Sequence, residues 1–185
     1  TFKQLAKLND VTETELILGN VNNLPLISRI FKENKITSVF HAAAYKHVPL
    51  LESNIYEAIN NNSVSTYNLS KLAYESGVKK FILVSTDKAV KPVNNMGRSK
   101  RLSEKIITYF DAKDAKTIYS AVRFGNVFNS SGSAVEIFLH QIEKEKKVTV
   151  TSAEMTRFFM TIPEAVHLIL QAWYLAKESN FYMVE

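Results

Sequence analysis

Short runs of β-branched and aromatic residues alternate along this chain with longer stretches in which apolar residues recur with a helical period. This alternation is typical of βα units built around a mostly parallel sheet. Strands are predicted at about 14–18, 36–42, 79–85 and 117–124, with short ones at 147–151 and 180–184. Helices are predicted at about 24–34, 54–76, 97–112, 133–146 and 162–178. The pattern therefore predicts an α/β fold with a Rossmann-like, doubly wound parallel sheet and a small C-terminal lobe.

Glycine and proline mark the ends of two predicted helices. Gly77 directly follows the second helix, as a C-cap glycine does, and Pro163 suits the first turn of the last helix. No internal repeat, low-complexity tract or linker separates one part of the chain from another. Residues 1–185 are therefore expected to form a single domain, with the lobe in about residues 127–185.

Two of the predicted strands read as almost uninterrupted apolar runs, FILV and SVFHAAA. Strands with this pattern are buried on both faces of a parallel sheet. Ligands of such sheets bind in the crevice beyond the carboxyl ends of the strands. The site is therefore expected among residues 41–47, 85–91 and 124–129.

The composition excludes several classes of protein and site. With 185 residues, 46% of them apolar and 22% charged, the chain can form a packed core, which excludes disordered and fibrous proteins. The lack of cysteine excludes disulfides, thiolate zinc sites and cysteine nucleophiles, and agrees with a reducing cytoplasm. No apolar run approaches the roughly 18 residues of a membrane helix, and TFKQLAKLND lacks the apolar core of a signal peptide. We therefore expect a soluble, cytoplasmic chain.

Charge and motif content narrow the function further. The net charge of +5 is mild and spread along the chain, so no nucleic-acid partner is expected. The five glycines are never closer than seven residues, so this sequence contains neither a G-x-G-x-x-G loop nor a P-loop. The four histidines form no H-x-x-x-H pair, and we expect no metal. A G-x-S-x-G serine hydrolase motif is also missing.

A hydroxyl, a carboxyl and an amine occupy the consecutive positions Thr86, Asp87 and Lys88, directly after a predicted buried strand. In a desolvated cleft such a set suits general acid–base catalysis, because burial and neighbouring charges shift the pKa values of its members. The alternative is an Asx-type turn followed by a solvated lysine. The local sequence favours neither interpretation.

Met96 and Lys100 lie four residues apart near the start of a predicted helix and therefore share one helix face. A lysine fixed there could hydrogen-bond the hydroxyls of a sugar or a nicotinamide ribose and lower the pKa of one of them. Taken alone, such a pair is more often a core contact and a lysine whose stem lies along the surface.

Asn126 and the hydroxyls of residues 130–133 follow a predicted strand just before a helix, a place that suits a diphosphate or a sugar. The alternative is an ordinary loop in which Ser133 caps the next helix. Arg157 is surrounded in sequence by apolar residues. It is expected either to pair with an internal carboxylate or to bind a ligand phosphate through two hydrogen bonds.

Together these segments resemble one family, the CapD-type polysaccharide-biosynthesis proteins. These are nucleotide-sugar 4,6-dehydratases of the extended short-chain dehydrogenase/reductase superfamily. Five blocks carry the resemblance in family order over nearly the whole chain, which is more specific than any single motif. The blocks are VFHAAAYKHVPLLE (39–52), EAINNNSVSTYNL (57–69), FILVSTDKAVKPVNNMGRSKR (81–101), AVRFGNVFNSSGS (121–133) and MTRFFMTIPEAV (155–166).

The resemblance implies roles for the candidate residues. Thr86, Asp87 and Lys88 match the catalytic triplet of the family, and Met96 with Lys100 matches its Tyr-x-x-x-Lys pair with the tyrosine replaced. The residues at the positions that line the nicotinamide half of NAD in relatives are Ala42, Ala43, Ala44, Asn62 and Lys100. The residues at the positions that hold the nucleotide sugar are Lys46, His47, Asn126, Ser131 and Arg157.

The reaction implied is dehydration of a UDP-sugar in the synthesis of a surface polysaccharide or glycan. The expected substrate is UDP-N-acetylglucosamine, and the expected product is UDP-2-acetamido-2,6-dideoxy-4-hexulose. Hydride leaves C4 to NAD⁺, Lys88 removes the C5 proton, Asp87 protonates the C6 hydroxyl if burial keeps it protonated, and hydride returns to C6. Because a thioether cannot act as a base, the C4 hydroxyl must lose its proton by a route that does not use Met96.

The chain also departs from the family pattern, because the first βαβ unit with its Gly-rich NAD loop is missing. The resemblance therefore implies a partial Rossmann-like sheet. This chain by itself is expected to bind NAD weakly or not at all and to be inactive, whereas the complete protein is expected to bind NAD tightly and to be active. A homo-oligomer is expected, favoured by the unpaired sheet edge. Some relatives carry a membrane anchor before this region, which would place the complete protein on the cytoplasmic face of the membrane.

Three alternatives to the dehydratase remain open. A 4-epimerase or reductase of the same superfamily is close in sequence, although Met96 stands where an epimerase needs tyrosine. A non-catalytic assembly module agrees with the missing NAD loop. Binding of nucleic acid through scattered lysines and arginines lacks the interleaved aromatic residues that such proteins use.

Overall fold

The computed structural model describes residues 14–113, 116–128, 130, 134–150, 152, 154, 156–177 and 181–183. The strands are β1 (Ser38–His41), β2 (Lys80–Thr86), β3 (Ile118–Phe124), β4 (Asn126–Val127), β5 (Phe159–Met160) and β6 (Phe181–Met183). The α-helices are α1 (Leu24–Glu33), α2 (Val48–Glu52), α3 (Ile55–Ala58), α4 (Ser65–Glu75), α5 (Asn95–Lys113), α6 (Ala134–Glu145) and α7 (Ile162–Leu175). A π-helical segment (Ile59–Val64) joins α3 to α4, and a 3-10 turn (Asp87–Ala89) follows β2.

The main sheet has four parallel strands in the order β1-β2-β3-β6. In its register Val39 lies opposite Phe81 and Ser85 lies opposite Arg123, so the carboxyl ends of β2 and β3 lie side by side. A second, two-stranded parallel sheet pairs β4 with β5. The strands predicted at 36–42, 79–85 and 117–124 are thus parallel neighbours, as the sequence pattern predicted.

Both faces of the sheet are covered by helices because alternate side chains of the central strands point to opposite sides. On one face Phe81 and Leu83 of β2 pack with Leu69 of α4 and Ile107 of α5, all of them buried. On the other face Ile82 packs with residues of α7. Layers of helix on both sides of a parallel sheet confirm the doubly wound α/β class.

The predicted helix ends are confirmed. Gly77 ends α4 with a φ of 68°, a left-handed conformation that glycine adopts at little cost. At the start of α7 the Thr161 side chain accepts a hydrogen bond from the backbone of Glu164, and the Glu164 side chain accepts one from the backbone of Thr161. With Pro163 in the first turn, this capping box fixes where the helix begins.

The strand predicted at 14–18 is wrong. Residues 14–20 have no regular structure, and Leu18 is fully exposed. A strand needs the backbone of a neighbour, and in a doubly wound sheet the third strand lies at the far edge from the fourth, with two strands between them. No strand among the described residues pairs with residues 14–18, and β1 pairs only with β2.

The strand predicted at 147–151 is also wrong. Residue 147 is a bend, residues 148–150 have no regular structure, and residue 151 lies outside the described residues. The backbone N–H of Thr149 donates to the side chain of Gln141 at 3.1 Å, and the Gln141 amide donates in turn to the Thr149 hydroxyl. A side chain therefore takes the hydrogen bond that a strand would need. The short strand predicted at 180–184 is confirmed over Phe181–Met183.

Candidate active site

Most of the predicted site residues line one cavity of about 570 Å³ at the carboxyl ends of β1, β2 and β3. The predicted residues that line it are Ala42, Ala44, Lys46, His47, Thr86, Lys88, Met96, Lys100 and Asn126. Ala43, Asn62, Asp87 and Arg157 lie outside the lining, and Ser131 lies outside the described residues. A second cavity of about 600 Å³, between Phe158 and the start of α7, contains none of the predicted residues.

The end of β2 and the turn after it bring the predicted triplet together. The Lys88 amine donates to Asp87 Oδ1 at 2.9 Å, and the Thr86 hydroxyl donates to the same oxygen at 2.9 Å. The side chains of Lys88 and Asp87 are 30% and 43% exposed. The three groups therefore form one hydrogen-bonded unit at the edge of the cavity, rather than a turn with a solvated lysine.

The protonation state of Asp87 differs from the expectation that burial keeps it protonated. Partial burial raises the pKa of Asp87, but the hydrogen bonds from Lys88 and Thr86 outweigh burial and leave that pKa below its ordinary value. Asp87 is therefore a carboxylate at neutral pH, paired with the Lys88 ammonium. The charged form of Asp87 is favoured because its carboxyl group is too exposed for the effect of burial to exceed that of the hydrogen bonds.

The start of α5 packs directly against this turn. A Cβ at Gly97 would lie 2.5 Å from the carbonyl oxygen of Lys88, so only glycine allows the helix to approach this closely. The backbone N–H of Gly97 donates to the Asn94 side chain at 2.8 Å, which satisfies a free donor of the first turn. Met96 and Lys100 share the helix face that lines the cavity, as predicted.

Lys100 is buried, with 6% of its surface exposed. Burial lowers the pKa of Lys100 to about 8, against the opposing attraction of Glu104. Within the described part of the chain its amine has no hydrogen bond and no ion pair within 4 Å. The amine is therefore available to a ligand in the cavity and titrates near neutral pH.

Asn62 lies in the π-helical segment and supports the cavity from behind. Its side-chain oxygen accepts a hydrogen bond from the backbone N–H of Tyr45 at 2.7 Å, and its amide donates to the Tyr45 carbonyl and to the Ser99 hydroxyl at 3.0 Å. These bonds occupy the amide, so Asn62 fixes the loop after β1. A wider helical turn of this kind is frequent at functional sites.

Two predicted sugar-binding residues, Lys46 and Arg157, are exposed. The Lys46 amine donates to the Ser130 hydroxyl at 3.2 Å across the cavity. Arg157 is exposed and donates to the carbonyl oxygen of Thr156 at 2.7 Å, so the described residues do not include the internal carboxylate partner considered for it. Its charge remains accessible to a ligand.

Sequence reasoning missed a buried ion pair behind the site. Glu104 is 1% exposed, and Arg123 donates to both of its oxygens, at 2.8 and 2.7 Å. The Ser85 hydroxyl donates to the same carboxylate at 2.6 Å. Its position one turn after Lys100 on the same helix face could have predicted that Glu104 is buried, but not that it pairs with Arg123.

The described residues show neither a cluster of metal ligands nor a membrane-spanning helix. No group of three potential metal ligands occurs within the described ranges of the chain. In the same residues we find no helix with the length and apolar character needed to span a bilayer.

Comparison with known proteins places the chain among relatives that are longer than it is. Capsular polysaccharide biosynthesis protein CapD of Staphylococcus aureus is 47% identical over 91% of this chain and 28% of the relative. A UDP-glucose 4-epimerase of Rickettsia bellii is 38% identical over 90% of this chain and 49% of the relative. The chain thus spans about a quarter to a half of the length of these curated relatives.

Solved structures support the same fold. Pen from Bacillus thuringiensis superposes with a TM-score of 0.88 at 34% identity, covering 100% of this chain and 57% of Pen. DesIV, a dTDP-glucose 4,6-dehydratase of Streptomyces venezuelae solved with NAD bound, superposes with a TM-score of 0.87, covering 100% of this chain and 62% of DesIV. At 14% identity, DesIV supports the fold alone. Since the family described as "Polysaccharide biosynthesis protein" matches residues 2–185, the chain belongs to that family, as its resemblance to CapD-type proteins predicted.

Proposed function

We propose that this chain forms the catalytic region of an NAD-dependent nucleotide-sugar 4,6-dehydratase. The observation that carries the proposal is the ion pair of Lys88 and Asp87, 2.9 Å apart at the edge of a cavity whose wall also contains the buried amine of Lys100. The first pair suits proton removal and proton donation, and the second amine suits activation of a hydroxyl. Dehydration of a 4-keto sugar needs these functions in one place.

The residues at the cavity fit a nicotinamide ribose. Lys100 presents a buried amine without a hydrogen-bond partner among the described residues, and such an amine is satisfied by ligand hydroxyls. Ala42 and Ala44 line the cavity after β1 with small side chains that leave room for a flat ring. NAD⁺, when bound, would supply the chemistry of accepting a hydride from C4 of the sugar and returning it to C6.

Lys100 is the residue suited to activate the C4 hydroxyl. With a pKa of about 8, part of Lys100 is a neutral amine near neutral pH and can accept the proton of the C4 hydroxyl, and the ammonium that forms then donates a hydrogen bond to the sugar oxygen. Met96, one helical turn earlier, offers a thioether that cannot accept the proton. The methionine instead contributes apolar surface to the cavity wall, together with Leu51 and Ala58 behind it.

Asp87 and Lys88 are suited to the elimination as a pair. In the open cavity they are a carboxylate and an ammonium, but transfer of one proton from Lys88 to Asp87 converts them into a neutral amine and a carboxylic acid. A sugar that covers the pair removes water from it, and desolvation favours this neutral state. The Lys88 amine can then remove the C5 proton, and Asp87 can donate a proton to the departing C6 hydroxyl.

The charge of the cavity suits a nucleoside diphosphate. Its described lining includes three lysines, Lys46, Lys88 and Lys100, and no aspartate or glutamate. A cleft lined by one sign of charge concentrates ligands of the opposite sign. Asn126 in the lining adds a hydrogen-bond donor for the sugar. We propose UDP-N-acetylglucosamine as the substrate.

A 4-epimerase is the second candidate, because relatives that are 38% identical carry that name. An epimerase returns the hydride to C4 and never removes the C5 proton. The pair of Asp87 and Lys88 favours the dehydratase, since an epimerase has no use for an acid and a base at C5 and C6.

The two candidates are distinguished by one experiment with the full-length protein. UDP-N-acetylglucosamine and NAD⁺ are incubated with it in D₂O, and the sugar is followed by NMR. A dehydratase yields a 4-keto-6-deoxy sugar with deuterium at C5, whereas an epimerase yields the C4 epimer with the C5 proton retained. An unchanged sugar would overturn both candidates and favour an assembly module.

A further inference from the structure

The Ser99 hydroxyl connects α5 to the π-helical segment beside it. Ser99 is 2% exposed and lies between Met96 and Lys100, both of which line the cavity. Its hydroxyl donates to the Met96 carbonyl at 2.8 Å. Because this bond uses the only hydroxyl proton, the oxygen can only accept a further hydrogen bond, and it accepts one from the Asn62 amide at 3.0 Å. The turn of α5 that carries Lys100 is thereby bonded to Asn62.

Asn62 continues this connection to the loop after β1. Its amide nitrogen also donates to the Tyr45 carbonyl at 3.0 Å, and its oxygen accepts a hydrogen bond from the Tyr45 N–H at 2.7 Å. Residues 42 and 44–47 of the loop line the cavity. Two buried side chains, those of Ser99 and Asn62, thus join two parts of the cavity wall that lie far apart in the sequence.

Packing does not require the Ser99 hydroxyl, because alanine fits in the same space and has a higher helix propensity. The hydroxyls of Ser63 and Ser103 each donate to the Ser99 carbonyl at 2.9 Å, and Ser103 also donates to the Asn62 carbonyl at 2.8 Å. These bonds to the backbone remain in Ser99→Ala and keep the two segments together. The variant loses only the partner of a buried amide N–H, and a buried donor without a partner is unfavourable.

We propose that Ser99 is a positioning residue for the reaction, which holds the loop after β1 at a fixed distance from the Lys100 amine through the amide of Asn62. This role rests on the proposed function in so far as the loop and Lys100 act on NAD⁺ and the sugar. Hydride transfer depends on such distances, since a displacement of about 1 Å can lower a rate roughly 100-fold. Ser99 itself is not part of the described cavity lining.

The first test measures hydrogen exchange of the Tyr45 amide in the full-length protein without substrate, by mass spectrometry of peptides that cover residues 42–48. Ser99→Ala should accelerate this exchange about 5-fold or more, because the Asn62 amide that accepts from the Tyr45 N–H is then held by one contact fewer. The matched control is Ser70→Ala, which removes a buried helix hydroxyl that has no hydrogen-bond partner among the described residues. It should leave the exchange unchanged.

The second test measures formation of reduced nicotinamide by rapid mixing with saturating UDP-N-acetylglucosamine. Ser99→Ala should lower the rate constant about 10-fold or more, whereas Ser70→Ala should keep the parent rate. In an Asn62→Ala background, Ser99→Ala should have little further effect, because both substitutions break the same connection.

Tyr45 exchange in Ser99→Ala within about 2-fold of the parent overturns the proposal, and so does an equal acceleration in Ser70→Ala. Rate losses that multiply fully in the double variant also overturn it. If Asn62→Ala does not fold, the exchange measurement decides alone. Because that measurement uses no substrate, its failure is distinguishable from failure of the D₂O experiment, which concerns the reaction itself.

Discussion

Replacing Lys88 with methionine tests the proposed division of roles between two lysines. The substitution removes the amine that lies 2.9 Å from Asp87 Oδ1 but keeps the length and most of the volume of the side chain. We expect the full-length protein with NAD⁺ to oxidise the sugar at C4 and then to stop. The C5 proton can no longer be removed once the amine is gone.

The expected loss of rate is larger than any loss of stability. The side chains of Lys88 and Asp87 are 30% and 43% exposed, and ion pairs that contact solvent contribute about 0–1 kcal/mol. A lost general acid–base group lowers the rate roughly 10²–10⁴-fold, which corresponds to about 3–5 kcal/mol of transition-state stabilisation. A fall in turnover of that size with an unchanged melting temperature therefore reports on chemistry.

The assay is rapid mixing of enzyme and UDP-N-acetylglucosamine with detection of reduced nicotinamide by absorbance. Lys88→Met should accumulate it, whereas Lys100→Met should form none, because oxidation at C4 needs the Lys100 amine. Lys91→Met replaces an exposed lysine three residues after Lys88 and should behave as the parent does. If both cavity variants respond alike, or if Lys88→Met turns over near the parent rate, the assignment is refuted.

Three further predictions concern the frame of the site. Gly97→Ala should abolish turnover and lower the melting temperature, because its Cβ would lie 2.5 Å from the Lys88 carbonyl. Gly77→Ala, whose Cβ meets no atom within 4 Å but whose φ of 68° strains the backbone, should lower the melting temperature and keep turnover. The free energy of unfolding, measured with urea, should fall as the pH is lowered from about 6.5 towards 3, by about 2 kcal/mol at pH 5. The reason is that folding keeps His41 neutral with a pKa of about 3, whereas the histidine of the unfolded chain takes up a proton near pH 6.5. His41→Gln should remove this pH dependence. Thr161→Ala should cost about 1 kcal/mol in the same assay through loss of the α7 cap, and equal midpoints would contradict this.

The order of strands and helices could be predicted because local pattern and tertiary environment agree. The apolar run of β2 is buried on both faces, and Gly77 and Pro163 occupy the helix ends that their backbone preferences favour. The segment 14–18 has the composition of a strand but pairs with no strand in the described part of the chain, and composition carries no information about neighbours. The five-residue helix α2 is too short to show a helical period.

The candidate cavity could be located from sequence more accurately than its electrostatics could be described. The positions of Thr86, Lys88 and Lys100 follow from strand ends and helix spacing, which are local. The ion pair of Glu104 and Arg123 joins residues 19 positions apart, and neither segment alone predicts it. The charge state of Asp87 depended on the balance between burial and hydrogen bonds, which only three-dimensional coordinates provide.

Two carboxylates near the cavity differ in environment, and the difference separates their roles. Glu104 is buried under donors from three side chains, so its charge is fixed by those partners. Asp87 accepts side-chain hydrogen bonds from only Thr86 and Lys88 among the described residues, and 43% of its side chain is exposed. A substrate can therefore change the surroundings of Asp87 but not those of Glu104. Since a group must change protonation state to act as an acid, the carboxyl group that the substrate can cover is the one suited to catalysis.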